Sequence, residues 1–414
     1  MRVYLHSLGC RLNWSEIEAM ARRLAAAGHV LVDEPAQADV CIVNTCAVTA
    51  EAERKTRHTI RALYRANPQA RIAVVGCAAT LSPETFARFP GVAWVVTNEE
   101  KGEIVDRLSV PEGSGEAERQ GGLRTRAFIK VQDGCDNHCT YCVVRILRGP
   151  GRSRPLEEVL PEVQERVEEG YQEVVVTGVN LGSYGRDRGV ERGLYRLIEA
   201  VLAHTDVPRL RLSSVEPWDL DETFFRLWEN PRLCRQLHLP LQAGCDATLR
   251  RMGRPITTEQ YAALVETARA AISDLALTTD VMVGFPGEDE GDFVESLAFV
   301  ERMGFARLHV FPFSPRPGTP AARLPDQVPV SVRRERARRM REVGDRLAET
   351  FQQRFVGREM EVLWEHRRDD GLWHGLTDNY LRVVTLFGEG LTGRVVRTRL
   401  AALHSGLFIG EVVE

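Results

Sequence analysis

The order of apolar and polar positions divides the chain into three rhythms. Up to about Leu108, strand-like runs alternate with helical ones. RVYLHSLG reads as a strand, and SEIEAMARRLAAAG has helical periodicity, with Ser15 as the expected N-cap and Gly28 as the stop. DVCIVNT, RIAVVGC and VAWVVTN are apolar runs suited to buried strands, and the helical AERKTRHTIRALYRAN lies between the first two. This alternation predicts an open parallel α/β sheet whose binding crevice lies at the carboxyl ends of its strands. From Val110 to Thr125 the chain is rich in glycine and charge and has no period, as expected of an exposed linker.

AFIKVQDGC opens the second rhythm. The strands EVVVTGVN, RLRLSSVEP, QLHLPLQAG, LALTTDVMVGFPG and RLHVFPFSP follow, separated by helical stretches such as LEEVLPEVQERVEEG, LYRLIEAVLAH, DETFFRLWEN, TTEQYAALVETARAAI and DFVESLAFVERMG. Six strands alternating with helices predict a partial (β/α)6 barrel, which places its chemistry in the loops after the strands. Polar and glycine residues collect in those loops: Gly178, Asn180 and Gly182, then Ser213, Ser214 and Glu216, then His238 and Gln242, then Gly284, Phe285, Pro286 and Gly287. Next comes the helical SVRRERARRMREVGDRLAETFQQRFVG, with eight arginines against four acids; it reads as a solvated face, and a face turned to RNA would look the same. Beyond Gly357, short strands and Gly/Asp turns predict a small β-barrel, of a kind that binds single-stranded nucleic acid through stacking aromatics; Trp364, Trp373 and Tyr380 are the candidates, with buried barrel core the favoured reading for at least one of them. The expected domains span residues 1–110, 122–355 and 356–414.

Composition narrows the function. The 414 residues, 43% of them hydrophobic, suffice for two or three cores. No apolar run approaches the roughly 20 residues that span a bilayer, and MRVYLHSLGCRLN does not read as a signal peptide, so the expected location is the cytoplasm and no membrane partner is expected. A net charge of -4 argues against a general nucleic-acid coat protein but leaves room for local basic patches.

Nine cysteines in a chain without an export signal point to metal or redox chemistry. Cys135, Cys139 and Cys142 are spaced C-x3-C-x2-C, so one tight loop can aim three thiolates at one centre and leave a metal position free. A structural zinc knuckle with a distant fourth ligand is the alternative on spacing alone. Cys10, Cys46 and Cys77 each follow an apolar strand, and one rim of the sheet would bring them together as a second metal site; Cys41 lies inside its strand and reads as core.

The trio with Tyr141 before its last cysteine resembles the radical S-adenosylmethionine (SAM) superfamily. With SLGCRLN, NTCAVT, VVGCAA, QDGCDNHCTYC, RGPGRSRP, HLPLQAGCDATLRRM, DVMVGFPGE and FSPRPGTPAA, essentially the whole chain resembles the methylthiotransferases of that superfamily. The resemblance implies a three-cysteine N-terminal domain, a central SAM barrel and a C-terminal TRAM barrel. It implies two [4Fe-4S] clusters: an auxiliary one on Cys10, Cys46 and Cys77, and one on Cys135, Cys139 and Cys142 that reduces SAM to a 5'-deoxyadenosyl radical, so the cofactor carries the hard chemistry. It further implies that Tyr141, Gly178, Asn180, Ser213, Glu216, His238, Gln242, Gly284, Phe285 and Pro286 lie around SAM. One segment departs from the family pattern: where the family commonly continues with Pro-Tyr before Arg-Gly, Val143 and Val144 here lead into Arg145, Ile146 and Leu147.

Within the family, GCRLN, QDGC and RGPGRSR look most like the branch that adds a methylthio group to C2 of N6-threonylcarbamoyladenosine at position 37 of tRNA. The siblings act on isopentenyladenosine in tRNA or on a ribosomal-protein aspartate. The implied partners are the tRNA anticodon stem-loop, a reductant and a sulfur donor. The reading from a different class is a non-catalytic RNA-binding protein with structural metal.

Overall fold

The computed structural model describes residues 1–108, 125–368, 370–386 and 388–413, so the expected linker, apart from Thr125, lies outside the described residues. The N-terminal strands β1 (Arg2–Ser7), β2 (Val30–Val32), β3 (Val40–Thr45), β4 (Arg71–Gly76) and β5 (Val92–Val96) form a parallel sheet in the order β2-β1-β3-β4-β5. β3 is buried along its whole length, as a strand covered on both faces must be. The order reverses between β1 and β3, which opens a crevice at their carboxyl ends.

The first helix differs from the sequence expectation. It runs Arg11–Ala26 with Cys10 at the N-cap position, and Ser15 is buried in its interior. The turn is made one residue earlier, at Gly9, whose φ of +102° suits glycine and whose missing Cβ leaves room for Cys46; a Cβ there would lie 2.6 Å from that of Cys46.

The central unit has the expected six parallel strands: β6 (Arg126–Lys130) and then, after a small hairpin of β7 (Gln132–Asp133) and β8 (Arg152–Ser153), β9 (Glu173–Thr177), β10 (Arg209–Leu212), β11 (Gln236–His238), β12 (Ala276–Val283) and β13 (Arg307–Pro312). They hydrogen-bond as β10-β9-β6 and β11-β12-β13, and bridges at Leu210/Leu233 and Ser214/His238 join the two halves into a partial barrel. Alternate residues point outward: Val174, Val176, Leu237, Leu277 and Val281 belong to the core beneath the helices. The predicted helix at DETFFRLWEN is a 3-10 helix, Glu222–Glu229.

The arginine-rich helix, Val330–Gln353, packs against the barrel through Ala337, Met340 and Val343. Much of its charge is already matched: Arg336 pairs with buried Glu288, Arg339 with Glu290, Arg346 with Glu301, and Arg338 with Glu335 and Glu342. The helix is therefore a buttress, with few unpaired arginines left for RNA.

The last strands, β14 (Glu359–Arg367), β15 (Trp373–Thr377), β16 (Arg382–Thr385), β17 (Val395–His404) and β18 (Leu407–Val412), close into a barrel in the order β14-β15-β16-β18-β17. Trp364 and Trp373 lie in its core with Val362, Leu400 and Phe408, so they are packing residues and not the exposed stacking platforms expected from the sequence. Tyr380 is not a free platform either. It has a positive φ of 71° and reaches the floor of the central barrel, where its hydroxyl accepts hydrogen bonds from Arg11 (3.2 Å) and Arg126 (3.1 Å), while Arg211 lies 4.6 Å from its ring centre. All three units meet at this one side chain.

Burial raises the Tyr380 pKa, but Arg11, Arg126 and Arg211 outweigh it and bring the value down to about 8. A folded-state value below the ordinary one near 10 favours the ionised form. Its stabilising contribution grows as pH rises through about 8 and is lost as pH falls back through it. Phenolate absorbance is expected to show one tyrosine titrating near this value and to lose that component in Tyr380→Phe. Denaturant titrations at neutral and alkaline pH are expected to show a wild-type gain that the variant lacks.

Candidate active site

The three predicted N-terminal cysteines fall on the sheet's crevice: Cys10 after β1, Cys46 after β3 and Cys77 after β4. Cys46 and Cys77 are buried and Cys10 is exposed, so the rim opens on one side, and Cys41 is core as expected. Cys135, Cys139 and Cys142 lie on the loop after β6. That loop is clamped at both ends: Cys135 N–H donates to Gly149 O (3.1 Å), and Thr140 donates to Met252 O and Arg251 O (both 2.9 Å). Gly134, with φ +68°, presses so close to Pro150 that a Cβ would stand 1.9 Å from its carbonyl oxygen.

Burial pushes the thiols of Cys46 and Cys135 up to about 11 and that of Cys142 to about 12. At neutral pH such thiols stay protonated unless a cation replaces the proton, which suits metal ligands better than free nucleophiles.

Each trio has a buried arginine beside it, and neither was singled out from the sequence. Next to Cys139 and Tyr141 is Arg254, which donates to Glu216 (2.7 Å) and Tyr141 Oη (3.4 Å) and covers the ring of Trp218. Next to the N-terminal trio is Arg148, the last residue of the short helix Val144–Arg148 that follows Cys142. It binds Asn13 Oδ1, Glu16 Oε1 and Asp133 Oδ1, each at 2.9 Å.

A continuous set of contacts then runs around the N-terminal site. Asn13 Oδ1 is 3.7 Å from Cys10 Sγ; Glu16 also pairs with Lys101 (2.5 Å) and Lys130 (3.2 Å); Lys101 donates to Asn98 (2.9 Å); and Asn98 donates to Cys77 Sγ (3.4 Å) and Leu147 O (2.9 Å). The short helix Val144–Arg148 thus carries the second trio onto the first. Leu147 joins the hydrophobic core of the N-terminal sheet, Arg148 its ion pairs, and exposed Arg145 turns outward to His138 (2.6 Å). RGPGRSRP contained Arg148 in plain sight, but nothing in its spacing reveals a partner more than a hundred residues earlier.

Of the residues expected around SAM, three carry buried side-chain atoms with no partner among the described residues: Asn180 Oδ1, Ser213 Oγ and Gln242 Oε1. Arg254 Nε is a fourth. Orphans of this kind call for a ligand, ion or water. Gln242 also has a left-handed φ of 71°, a strain that non-glycine residues sustain mainly at functional sites. Gly178 packs on Gln132, which receives Asn180 N–H (2.9 Å) and donates to Gly134 O (2.8 Å), tying the second loop to the cysteine loop.

The GFPG turn serves packing. Gly284 faces Arg333, Pro286 is buried, and Phe285 is core, edge-on to Tyr141 at 6.4 Å and to Phe313 at 5.4 Å. His238 is engaged at both ring nitrogens, by Thr278 Oγ1 (2.9 Å) and Asp280 Oδ1 (3.4 Å), and Asp280 also meets His309 (3.1 Å).

Comparison with known proteins agrees with this geometry. Residues 129–300 match the radical SAM superfamily and residues 2–97 match the family described as UPF0004, an uncharacterized protein family. Over 92% of the chain and 90% of the relative, the sequence is 39% identical to a threonylcarbamoyladenosine tRNA methylthiotransferase (MtaB) of Thermotoga maritima. It is 40% identical to the Chlamydia pneumoniae protein of that name, over 98% and 97% of the two chains. The chain belongs to the radical SAM methylthiotransferase family. A sibling type, the tRNA-2-methylthio-N(6)-dimethylallyladenosine synthase of Acetivibrio thermocellus, is 32% identical over 99% of the chain and 90% of its own length. Among solved structures, the radical SAM methyltransferase TsrM of Kitasatospora setae superposes with a TM-score of 0.58 at 15% identity, covering 78% of this chain and 77% of its own, a likeness of fold. Membership brings a [4Fe-4S] cluster and SAM to this methylthiotransferase. No helix among the described residues is long and apolar enough to cross a membrane.

Removing Arg148 takes its hydrogen bonds from Asn13, Glu16 and Asp133 and leaves the two carboxylates facing only Lys101 and Lys130. Arg148→Met is expected to destabilise the protein by about 3 kcal/mol or more, the usual result of stripping one partner from a buried pair. Glu16→Gln added to it should cost far less than the two single changes summed, as measured by denaturant unfolding of all four proteins.

Proposed function

We propose that this methylthiotransferase adds a methylthio group to C2 of N6-threonylcarbamoyladenosine at position 37 of tRNA. The observation that carries the chemistry is the helix Val144–Arg148, which starts two residues after Cys142 and ends in the contacts around Cys10 and Cys77, so the two cysteine sites are neighbours. The substrate rests on the relatives, which are 35–40% identical for the threonylcarbamoyladenosine enzymes and 32–36% for the dimethylallyladenosine ones.

On this reading the unit of residues 1–110 carries an auxiliary [4Fe-4S] cluster on Cys10, Cys46 and Cys77, the unit of 122–355 carries the SAM-binding cluster on Cys135, Cys139 and Cys142, and that of 356–414 contacts the anticodon stem-loop. When bound, the clusters and SAM supply the sulfur and a carbon-centred radical able to remove hydrogen from an unactivated C–H bond, a task outside the reach of ordinary side-chain acids and bases. The protein's part is orientation. Asn180, Ser213 and Gln242 offer their unpaired polar atoms to SAM. Arg254, fully buried, sets a positive charge beside Cys139, as Arg148 does beside Cys10 and Cys77. Tyr141 and Phe285 exclude water behind the cysteine loop. A reductant and a sulfur donor complete the cycle from outside, and the cytoplasm is the compartment that holds the substrate.

Anaerobically reconstituted protein is expected to hold about eight irons, two cubes of four. Changing Cys10, Cys46 and Cys77 together to alanine should leave about four and preserve formation of 5'-deoxyadenosine, whereas Cys139→Ala should abolish it. A wild-type count that stays near four removes the auxiliary cluster. Nucleosides from a strain lacking the gene should lose the 2-methylthio derivative of threonylcarbamoyladenosine; loss of the dimethylallyl product instead assigns the sibling activity.

A further inference from the structure

One polar cluster in the central barrel has no task in this scheme. His238 ends β11, Asp280 lies in β12 and His309 in β13. Their outward-pointing neighbours, Leu237, Val281 and Leu308, pack beneath the helices, so these three side chains face the lumen.

Both imidazoles approach the same oxygen of Asp280, Oδ1: His238 Nε2 at 3.4 Å and His309 Nδ1 at 3.1 Å. The other nitrogen of His238 is taken by Thr278. The two rings stack at 5.5 Å, which fixes His309 against its neighbour. The side chain of His309 is 50% exposed and that of Asp280 28%. Two groups thus remain unpartnered among the described residues and open to the lumen: Asp280 Oδ2, an acceptor, and His309 Nε2.

We propose that Asp280 and His309 form the subsite that takes the polar arm on N6 of the target adenosine and thereby select it over an adenosine with a hydrocarbon arm. The inference rests on the substrate reading above and adds the residues that enforce it. A threonylcarbamoyl arm carries hydroxyl and carbamoyl N–H donors, which suit Asp280 Oδ2 and also His309 Nε2, the acceptor nitrogen of a neutral imidazole whose Nδ1 proton goes to Asp280. A dimethylallyl arm carries neither. Seated here, it would strip water from a carboxylate and an imidazole and return no hydrogen bond, and sites built to hydrogen-bond a ligand reject such analogues strongly. His238 and Thr278 act as positioning residues that hold Asp280 and the ring stack. The two tRNA-modifying types differ in the arm on N6, so an enzyme that discriminates between them needs an element that reads the arm.

The test uses full-length, anaerobically reconstituted enzyme and anticodon stem-loop RNAs whose adenosine 37 carries a threonylcarbamoyl arm, a dimethylallyl arm or none. The readout is the ratio of kcat/KM between RNAs within one protein, which cancels uniform losses from cluster loading or folding. His309→Phe, which preserves the ring stack, is expected to lower the threonylcarbamoyl preference at least about tenfold, and His309→Gln, whose amide oxygen retains an acceptor, to restore part of it. Asp280→Asn should also reduce the ratio. Unchanged ratios in His309→Phe and Asp280→Asn would overturn the subsite while leaving the substrate assignment intact. Wild-type preference for the dimethylallyl RNA would overturn the substrate reading itself. The three ligand atoms lie within 4.8 Å of one another, so a divalent cation is the competing occupant. One zinc per chain in wild type that is lost in His309→Phe, with an unaltered RNA ratio, would overturn the subsite in favour of a metal site.

Discussion

The buried carboxylate of Glu16 is the point on which the arrangement of the N-terminal sheet and the central barrel depends. It lies 4% exposed on the first helix and meets Lys101 from its own unit and Lys130 and Arg148 from the barrel. Burial alone would raise its pKa; Lys101, Arg148 and Lys130 outweigh that and hold it far below the usual carboxylate range. Desolvating five charged groups, these four and Asp133, offsets much of what their attraction returns, so such a knot adds little net stability. It ties the first helix to the barrel through Lys130 and Arg148, and the contacts of Arg148 and Asn98 put one cysteine trio beside the other.

The same knot has an electrical consequence. Three cations face two carboxylates, which leaves an excess positive charge under a rim of three thiols. Arg254 brings a similar charge to the other trio. A thiol that gave up its proton there would place negative charge in a space with little water, where a fixed cation counts for far more than at the surface. The Val144–Arg148 helix carries both the apolar and the ionic half of this contact, through Leu147 and Arg148. Its outer residues, Arg145 and Ile146, are exposed, away from the contacts that Leu147 and Arg148 make.

The terminal barrel closes the opposite end. Arg211 is fully buried, pairs with Glu173, and donates to the backbone oxygens of Thr377 and Asp378; Arg235 pairs with Asp378 at 2.6 Å. Tyr380 completes the floor. A barrel stoppered at its floor leaves its lumen accessible from the strand C-termini, the end where both cysteine sites stand. The polar groups along its wall, from Asp280 and His309 up to Gln242 and Ser213, are those to which the proposals above assign nucleoside and cofactor.

Much was legible in the sequence because it is encoded locally. The apolar periods determined the parallel sheet, the six barrel strands and the closing β-barrel, since strand alternation and helical spacing are properties of neighbouring residues. The cysteine spacing put three thiols on one loop, and three strand ends put the other three on one rim, because side chains at equivalent strand ends lie on the same edge of a sheet. What stayed hidden depends on contacts between distant segments. Gly9, and not Ser15, sets the first helix because Cys46 needs the space. Trp364 and Trp373 read equally well as surface or core until a barrel closes around them. Arg148, Arg254, Asp280 and His309 are ordinary residues in sequence; the packing of sheet on barrel made the first an anchor, and the curvature of the barrel brought the others to cysteine loop and lumen.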